Sequence, residues 1–176
     1  MKELIFASAF ALVSIFSSSV EAQEAYPGKV REAVYSSLAK PLMPYMQCIT
    51  FAATSYNVNE FILLSVLLVE AGYTAPLRMN DNGTIDHGFG QINTVRESEI
   101  AKIGLTLSDV ATNPCKNILA TSYILRKEIE VAADVWTGVA NYHYDINGDY
   151  PKHHHGYRQR VISRLLSIVS IAQSNK

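Results

Sequence analysis

The chain of 176 residues has 48% hydrophobic and 18% charged residues and a formal net charge of −1 at pH 7. This length is typical of one domain, and it is sufficient to bury a sizeable core. The near-neutral charge argues against a nucleic-acid-binding protein and against a protein held electrostatically on an anionic membrane.

Residues 1–22 have the pattern of a secretory signal peptide. Lys2 precedes an apolar stretch at residues 4–16, and residues 20–22 offer a small-residue cleavage site. The apolar stretch is too short to span a bilayer comfortably, and Gln23, after the expected cut, is not the cysteine of a lipoprotein. We therefore expect an exported protein, periplasmic or secreted, with no integral membrane segment after cleavage.

The rest of the chain is predicted to be mainly α, because its apolar residues recur at helical spacing and few runs alternate at the strand period. Residues 23–45 are taken as an N-terminal segment and residues 46–176 as the main domain. Asn59 and Asn113 are suited to cap helix starts, and Gly72 is suited to end a helix in the left-handed conformation. Helices are expected near residues 29–39, 45–56, 59–71, 94–103, 106–110, 114–131, 134–143 and 156–173.

Two segments are predicted to lack helix. The glycine-rich residues 82–93 are expected to form a short irregular or β-like loop region whose amides suit a polar substrate. Residues 145–156 hold an Asn-Gly pair and three consecutive histidines at 153–155, which indicates a turn or short hairpin. Because such a loop lacks the geometry of a defined metal site, the histidines are expected to bind metal only adventitiously. No metal and no cofactor is expected.

Glu70 is the candidate general acid. It ends an apolar run that begins at Phe61, in the last turn of a predicted helix. The negative end of the helix dipole and the poorly solvating neighbours Val66, Leu67 and Val69 both favour the neutral carboxyl. A carboxyl that stays protonated near neutral pH can donate a proton to a leaving oxygen. The alternative for Glu70 alone is an ordinary solvated surface position.

The loop after Glu70 adds polar candidates. Gln91 and Asn93 carry amides that can hydrogen-bond a substrate. Asp86 is the nearest candidate for a second carboxylate, and its expected structural role is to accept hydrogen bonds from backbone amides of the glycine turn. On a later predicted helix, the Tyr142 hydroxyl could approach a sugar or the catalytic acid.

Cys48 and Cys115 are the only cysteines. Export would place them in an oxidising compartment, where a pair usually forms a disulfide. A reactive thiol pair or a metal site would need closer spacing.

The order of these motifs resembles that of the lytic transglycosylases with a lysozyme-like domain, above all the small members that accompany secretion, conjugation and pilus systems. The similarity covers roughly residues 46–170. The family's catalytic glutamate at a helix end is similar to Glu70, its Gly-x-x-Gln-Ile-Asn segment to residues 88–93, and its Ala-x-Tyr-Asn segment to residues 140–143.

The resemblance implies a peptidoglycan substrate and a mechanism. Glu70 would protonate the oxygen between N-acetylmuramic acid and N-acetylglucosamine and then deprotonate the muramyl 6-hydroxyl, which leaves a 1,6-anhydro end. Gln91, Asn93 and Tyr142 would bind the sugars, with Phe89 and His143 as further substrate contacts. It also implies that the two cysteines pair and that a secretion or conjugation apparatus recruits the protein.

Four residues, at three places in the chain, depart from the family pattern. Ala71 stands where serine is usual, His143 where asparagine is usual, and Phe89-Gly90 replaces a Leu-Met pair. Two other functions stay open, and Ala71 and His143 support the second of them. One is a muramidase that uses water, with Asp86 as its second carboxylate. The other is a non-catalytic peptidoglycan-binding or assembly protein that retains the fold.

Overall fold

The computed structural model describes residues 26–74 and 76–175, and the predicted signal peptide lies outside them. The mainly α fold is confirmed. The described part contains α1 Gly28–Leu38, α2 Met46–Ser55, α3 Glu60–Glu70, α4 Glu97–Ile100, α5 Leu107–Thr112, α6 Pro114–Val131, α7 Val135–Asn141 and α8 Pro151–Ser174. Short 3-10 turns lie at Lys40–Tyr45, Thr94–Arg96 and Ala101–Ile103.

Helix α3 lies at the centre of the hydrophobic core. Its sequence is apolar on all sides, a pattern typical of a buried helix, and it packs against both α2 and α8. Phe61, Leu64 and Leu67 are at most 1% exposed, and burial of each such side chain contributes roughly 1.5–3 kcal/mol to folding. Helix α6 closes the other side of the core by packing on α2 and α7.

The residues before α2 contribute to the same core. Helix α1 packs against α8 and against the 3-10 turn that follows it. Val34, Tyr35 and Leu42 are fully buried there. The predicted N-terminal segment thus includes core positions from Val30 onward.

The predicted β-like region is a three-stranded antiparallel sheet. Strand β1 spans Leu77–Met79, β2 spans Ile85–His87 and β3 spans Ile92–Asn93, in the order β1-β2-β3. In this register Asp86 lies opposite Asn93. The turn between β1 and β2 places Gly83 at φ 79°, a left-handed conformation that glycine adopts without strain.

Two helix predictions are wrong in detail. Residues 94–103 do not form one helix, because two 3-10 turns flank the single turn of α4. Helix α8 begins at Pro151 rather than near residue 156, since proline is favoured at the first helical position. The three histidines therefore lie in a helix rather than in a turn or hairpin, and His154 is fully buried. Within the described residues, no three His, Cys, Asp or Glu side chains are grouped as metal ligands.

A disulfide joins Cys48 of α2 to Cys115 of α6, as predicted. Their Cα atoms are 5.3 Å apart, and the sequence separation is 67 residues. In the chain-entropy account, closing a loop of this length stabilises the fold by about 4 kcal/mol. None of the helices in the described part of the chain combines the length and apolarity needed to cross a membrane.

Candidate active site

A cleft of about 490 Å³ opens between the end of α3, the sheet and the end of α7. Six of the predicted site residues line it: Glu70, Asp86, Gln91, Asn93, Tyr142 and His143. The polar side chains of Arg78, Asn80, Asn82 and Thr84 line the same cleft.

Phe89 is not among the residues that line this cleft. Its ring makes edge-on contacts with Tyr45, at 4.9 Å between ring centroids, and with Tyr73, at 6.5 Å. The Phe89 side chain thus packs the glycine-rich loop against the 3-10 turn that precedes α2. In this position it serves as a packing residue.

The end of α3 differs from the prediction. Ala71, and not Gly72, adopts the left-handed conformation, with φ 53°. Gly72 is required for a different reason, because a Cβ atom there would lie 1.9 Å from the carbonyl oxygen of Gly88. The absence of a side chain at residue 72 lets the glycine-rich loop approach the helix end that carries Glu70.

Glu70 is held in a poorly solvated position. The pKa of its carboxyl is raised from 4.5 to about 7, chiefly by burial and to a smaller extent by the charge of Asp86. The Tyr157 hydroxyl is the main opposing influence, and Arg160 and Arg78 also lower the pKa. Glu70 Oε1 is buried and has no hydrogen-bond partner among the described residues. Near neutral pH the carboxyl is therefore available both as a proton donor and as a proton acceptor.

Tyr157 is a site residue that the sequence analysis missed. It lies on α8 and is 1% exposed, and its ring is stacked on His143 at 4.6 Å between centroids with 8° between the planes. Burial raises the pKa of Tyr157 well above its usual value, so the hydroxyl stays protonated. It interacts with the Glu70 carboxyl, although neither that hydroxyl nor Glu70 Oε1 makes a hydrogen bond of standard geometry with a described residue.

For the acid-catalysed reaction expected of Glu70, the variant Tyr157→Phe should lower the rate by about fivefold, the effect of losing one modest polar interaction. Because the hydroxyl lowers the pKa of Glu70, its removal should move the alkaline limb of the pH–rate profile to higher pH. Initial rates measured from pH 4 to 9 test this. Tyr35→Phe is the matched control, since the Tyr35 hydroxyl is also buried and without a hydrogen-bond partner among the described residues, but lies beside Glu60, at the opposite end of α3. If the alkaline limb of the pH–rate profile does not move in Tyr157→Phe, the Tyr157 hydroxyl does not act on the Glu70 carboxyl.

Asp86 is held by side-chain amides rather than by backbone amides of the glycine turn, contrary to the prediction. Asn80 Nδ2 donates to Asp86 Oδ2 at 3.0 Å, and Asn93 Nδ2 donates to Asp86 Oδ1 at 2.6 Å. The Thr84 hydroxyl oxygen accepts from the same two amides at 3.1 and 2.9 Å. The network fixes the orientation of the Asp86 carboxylate, which faces the cleft. The Asn93 side-chain nitrogen, predicted to bind substrate, donates its hydrogen bonds to Asp86 and Thr84.

Gln91 and Tyr142 also contact the glycine-rich loop. Gln91 Nε2 donates to the Gly88 carbonyl at 2.9 Å, and its backbone is left-handed with φ 50°. The Tyr142 hydroxyl donates to the Gly90 carbonyl at 2.7 Å, and the ring is only 9% exposed. Both side chains therefore shape the loop beside Glu70, and the Tyr142 hydroxyl is directed inward.

His143 lies at the end of α7 with an exposed side chain. The part of the ring that packs against the protein is poorly solvated, and this is the largest cause that lowers the pKa of the imidazole, followed by electrostatic interactions with Arg160 and His153. The lowered pKa favours the neutral ring, whose face packs on Tyr157. Where the family usually has the side-chain amide of an asparagine, this chain has the aromatic ring of His143.

Asn117, on α6, was not among the predicted site residues. Its side chain is fully buried and makes three hydrogen bonds across chain segments. Nδ2 donates to the carbonyls of His87 and Val110 at 2.8 and 2.9 Å, and Oδ1 accepts from the Gly90 amide at 2.7 Å. Asn117 thus attaches the glycine-rich loop to the core helix behind it.

Comparison with known proteins identifies the family of the chain. The family model of the transglycosylase SLT domain matches residues 47–149. Protein IpgF of Shigella flexneri is 21% identical over 136 residues, which cover 77% of this chain and 90% of that protein. Protein IpgF of Shigella sonnei is 22% identical over 137 residues, covering 76% and 90% respectively. Because the family match spans more than half of the chain, the protein belongs to the transglycosylase SLT domain family, the lytic transglycosylases that act on peptidoglycan.

Proposed function

We propose that the protein cleaves the β-1,4 bond between N-acetylmuramic acid and N-acetylglucosamine with formation of a 1,6-anhydromuramyl end, and that Glu70 is its single general acid and base. The observation that supports this proposal best is the Glu70 carboxyl itself. It lines the cleft, and its burial raises its pKa to about 7. A carboxyl with that pKa can exchange a proton in both directions at neutral pH.

The reaction has two proton transfers through one residue. Protonated Glu70 donates its proton to the glycosidic oxygen, the bond to the muramyl anomeric carbon breaks, and an oxocarbenium-like centre forms. The Glu70 carboxylate then accepts the proton of the muramyl 6-hydroxyl, whose oxygen bonds to the anomeric carbon. No water is consumed, and the enzyme returns to its protonated form.

The raised pKa of Glu70 keeps its carboxyl protonated, and so able to start the reaction, up to about pH 7. Because the protonated carboxyl starts the reaction, the rate is expected to fall as the pH rises through about 7. The Tyr157 hydroxyl can stabilise the carboxylate formed in the first step, and the Asp86 carboxylate can stabilise the positive charge that develops on the sugar.

Mass spectrometry of muropeptides tests the proposal. Purified peptidoglycan is incubated with the protein lacking residues 1–22, beside its Glu70→Gln variant. Anhydro-muropeptides from the unaltered protein alone are expected. Hydrated reducing ends would instead indicate a muramidase, and release by neither protein would favour a non-catalytic binding or assembly role.

One observation favours the muramidase as a second candidate. Asp86 shares the cleft with Glu70, and the two amides of Asn80 and Asn93 orient its carboxylate. Glycoside hydrolysis by water commonly uses two carboxyl groups that flank the scissile bond.

The variant Asp86→Asn separates the two mechanisms. If Glu70 acts alone, the variant should keep its activity within about tenfold, because Asp86 then contributes only electrostatic stabilisation, and it should still release anhydro products. Since the charge of Asp86 raises the pKa of Glu70, the alkaline limb of the pH–rate profile should move to lower pH. Asp81→Asn is the matched control, because Asp81 is exposed and lies in the turn after β1. A loss well above about 100-fold, with hydrated products from the unaltered protein, would establish Asp86 as the second catalytic carboxylate.

The proposal includes a location and a context. The signal-peptide pattern and the disulfide suit an exported, periplasmic protein. The resemblance to small transglycosylases suggests that it opens the cell wall locally for a secretion, conjugation or pilus apparatus. Fractionation should recover the processed chain in the periplasm, and loss of apparatus assembly in cells that carry only Glu70→Gln would support the context.

A further inference from the structure

A second groove, of about 500 Å³, runs between α3 and the outer face of α8. Leu68 and Val69 form its apolar side, and Arg160, Ser163 and Arg164 lie on its polar side. The three polar residues are all exposed. The groove is therefore open to solvent and accessible to a ligand.

The groove carries the positive charges of Arg160 and Arg164. Helix α8 contains no aspartate or glutamate along its 24 residues. Within the described part of the chain, neither Arg160 nor Arg164 takes part in an ion pair. The two arginines are one helical turn apart, about 6 Å along the axis, so both guanidinium groups can face the same ligand.

The groove begins beside the catalytic acid. Val69, in its wall, directly precedes Glu70 in the chain. The Arg160 guanidinium lies 5.5 Å from the centroid of the Tyr157 ring, and its charge acts on the Glu70 carboxyl. The Arg160 end of the groove is therefore close to Tyr157 and to the Glu70 carboxyl, although Glu70 itself lines the neighbouring cleft.

We propose that the groove binds carboxylates of the peptide stem of peptidoglycan, through Arg160 and Arg164. This inference rests on the proposed function, because the peptide is joined to the lactyl group of the same muramyl ring whose anomeric carbon Glu70 activates. The stem carries acidic residues and a terminal carboxylate. A guanidinium group can donate two parallel N–H hydrogen bonds to one carboxylate. The Ser163 hydroxyl is a further hydrogen-bonding group in the groove.

Kinetics on two substrates test the inference. Arg164→Gln removes one positive charge from the groove, and Arg158→Gln removes the same charge from α8 at a residue that does not line it. On intact peptidoglycan, Arg164→Gln is expected to raise KM about tenfold with little change in kcat, because a binding contact is lost. Arg158→Gln should behave as the unaltered protein. On glycan strands stripped of their peptides by an amidase, all three proteins should have the same KM.

Two results would overturn the inference: an unchanged KM in Arg164→Gln on intact peptidoglycan, or an equal loss on both substrates. Failure of the proposed function is a separate result, in which the unaltered protein releases nothing from either substrate. In that case binding of the free stem tetrapeptide to the Glu70→Gln protein, with and without Arg164→Gln, still decides the inference. A loss of binding to phosphatidylglycerol vesicles in Arg164→Gln, with unchanged peptide dependence, would assign the groove to a membrane surface and overturn it.

Discussion

The variant Glu70→Gln is expected to release no muropeptides above background, a fall in rate of at least about 10³-fold. The glutamine amide has nearly the shape of the carboxyl, but it can neither donate an acidic proton to the glycosidic oxygen nor accept the proton of the muramyl 6-hydroxyl. Muropeptide release from purified peptidoglycan measures the loss. Glu60→Gln is the matched control, since Glu60 is a buried glutamate at the other end of the same helix and is paired with Arg31 at 3.8 Å. Retained activity in Glu70→Gln would contradict the mechanism.

The same variant should be more stable than the unaltered protein at high pH. The pKa of Glu70 is raised from 4.5 to about 7 in the folded state, so the protonated carboxyl favours folding at low pH and that contribution is lost as the pH rises through about 7. The loss approaches about 3 kcal/mol in the free energy of unfolding at pH 8. Urea unfolding should give Glu70→Gln this advantage at pH 8 and no advantage near pH 4. This measurement also shows that an inactive variant is folded.

Local sequence rules predicted much of the helical frame. Asn59 Oδ1 accepts hydrogen bonds from the amides of Phe61 and Ile62 at 2.9 and 3.2 Å, as expected of the residue that begins α3. Asn113 caps α6 in the same way, with Pro114 at the first helical position. Caps of this kind depend on residues within one turn, so they can be read from a single sequence.

The misplaced features depend on contacts between distant segments. Glycine is the residue type expected at a left-handed helix end, which is why Gly72 was predicted there. Glycine is needed at residue 72 because a side chain would collide with the Gly88 carbonyl, sixteen residues later in the chain. The role of Asp86 was mistaken for a similar reason, since its partner Asn93 reaches it across the β2–β3 pair. Neither contact can be inferred until the fold of the loop is known.

Tyr157 shows how one wrong boundary hides a site residue. The prediction began the last helix near residue 156, which placed this tyrosine in its first turn, where side chains are often exposed. With the helix beginning at Pro151, Tyr157 shares a buried face with Val161 and Ile168. A tyrosine hydroxyl on such a face needs a polar partner, and that requirement is the signal that could have pointed to Glu70.

Asn117 should be the largest contributor to stability among the buried polar side chains that hold the cleft. It joins three segments: β2 through the His87 carbonyl, the end of α5 through the Val110 carbonyl, and the glycine-rich loop through the Gly90 amide. The fit is close, because a Cβ atom on Gly88 would lie 2.2 Å from Asn117 Nδ2. A smaller side chain at 117 would therefore leave both a cavity and unpaired backbone groups.

The variant Asn117→Ala is expected to lower the free energy of unfolding by about 5 kcal/mol, because three buried backbone groups lose a hydrogen-bond partner. Urea unfolding at constant pH measures this loss, and muropeptide release below the unfolding transition should fall as well, since the loop that carries Gln91 is no longer attached to α6. Asn113→Ala is the matched control, because Asn113 is an exposed cap of the same helix and its loss should cost about 1 kcal/mol. Equal losses in the two variants would show that the loop is held by its glycines and by Tyr142 rather than by Asn117.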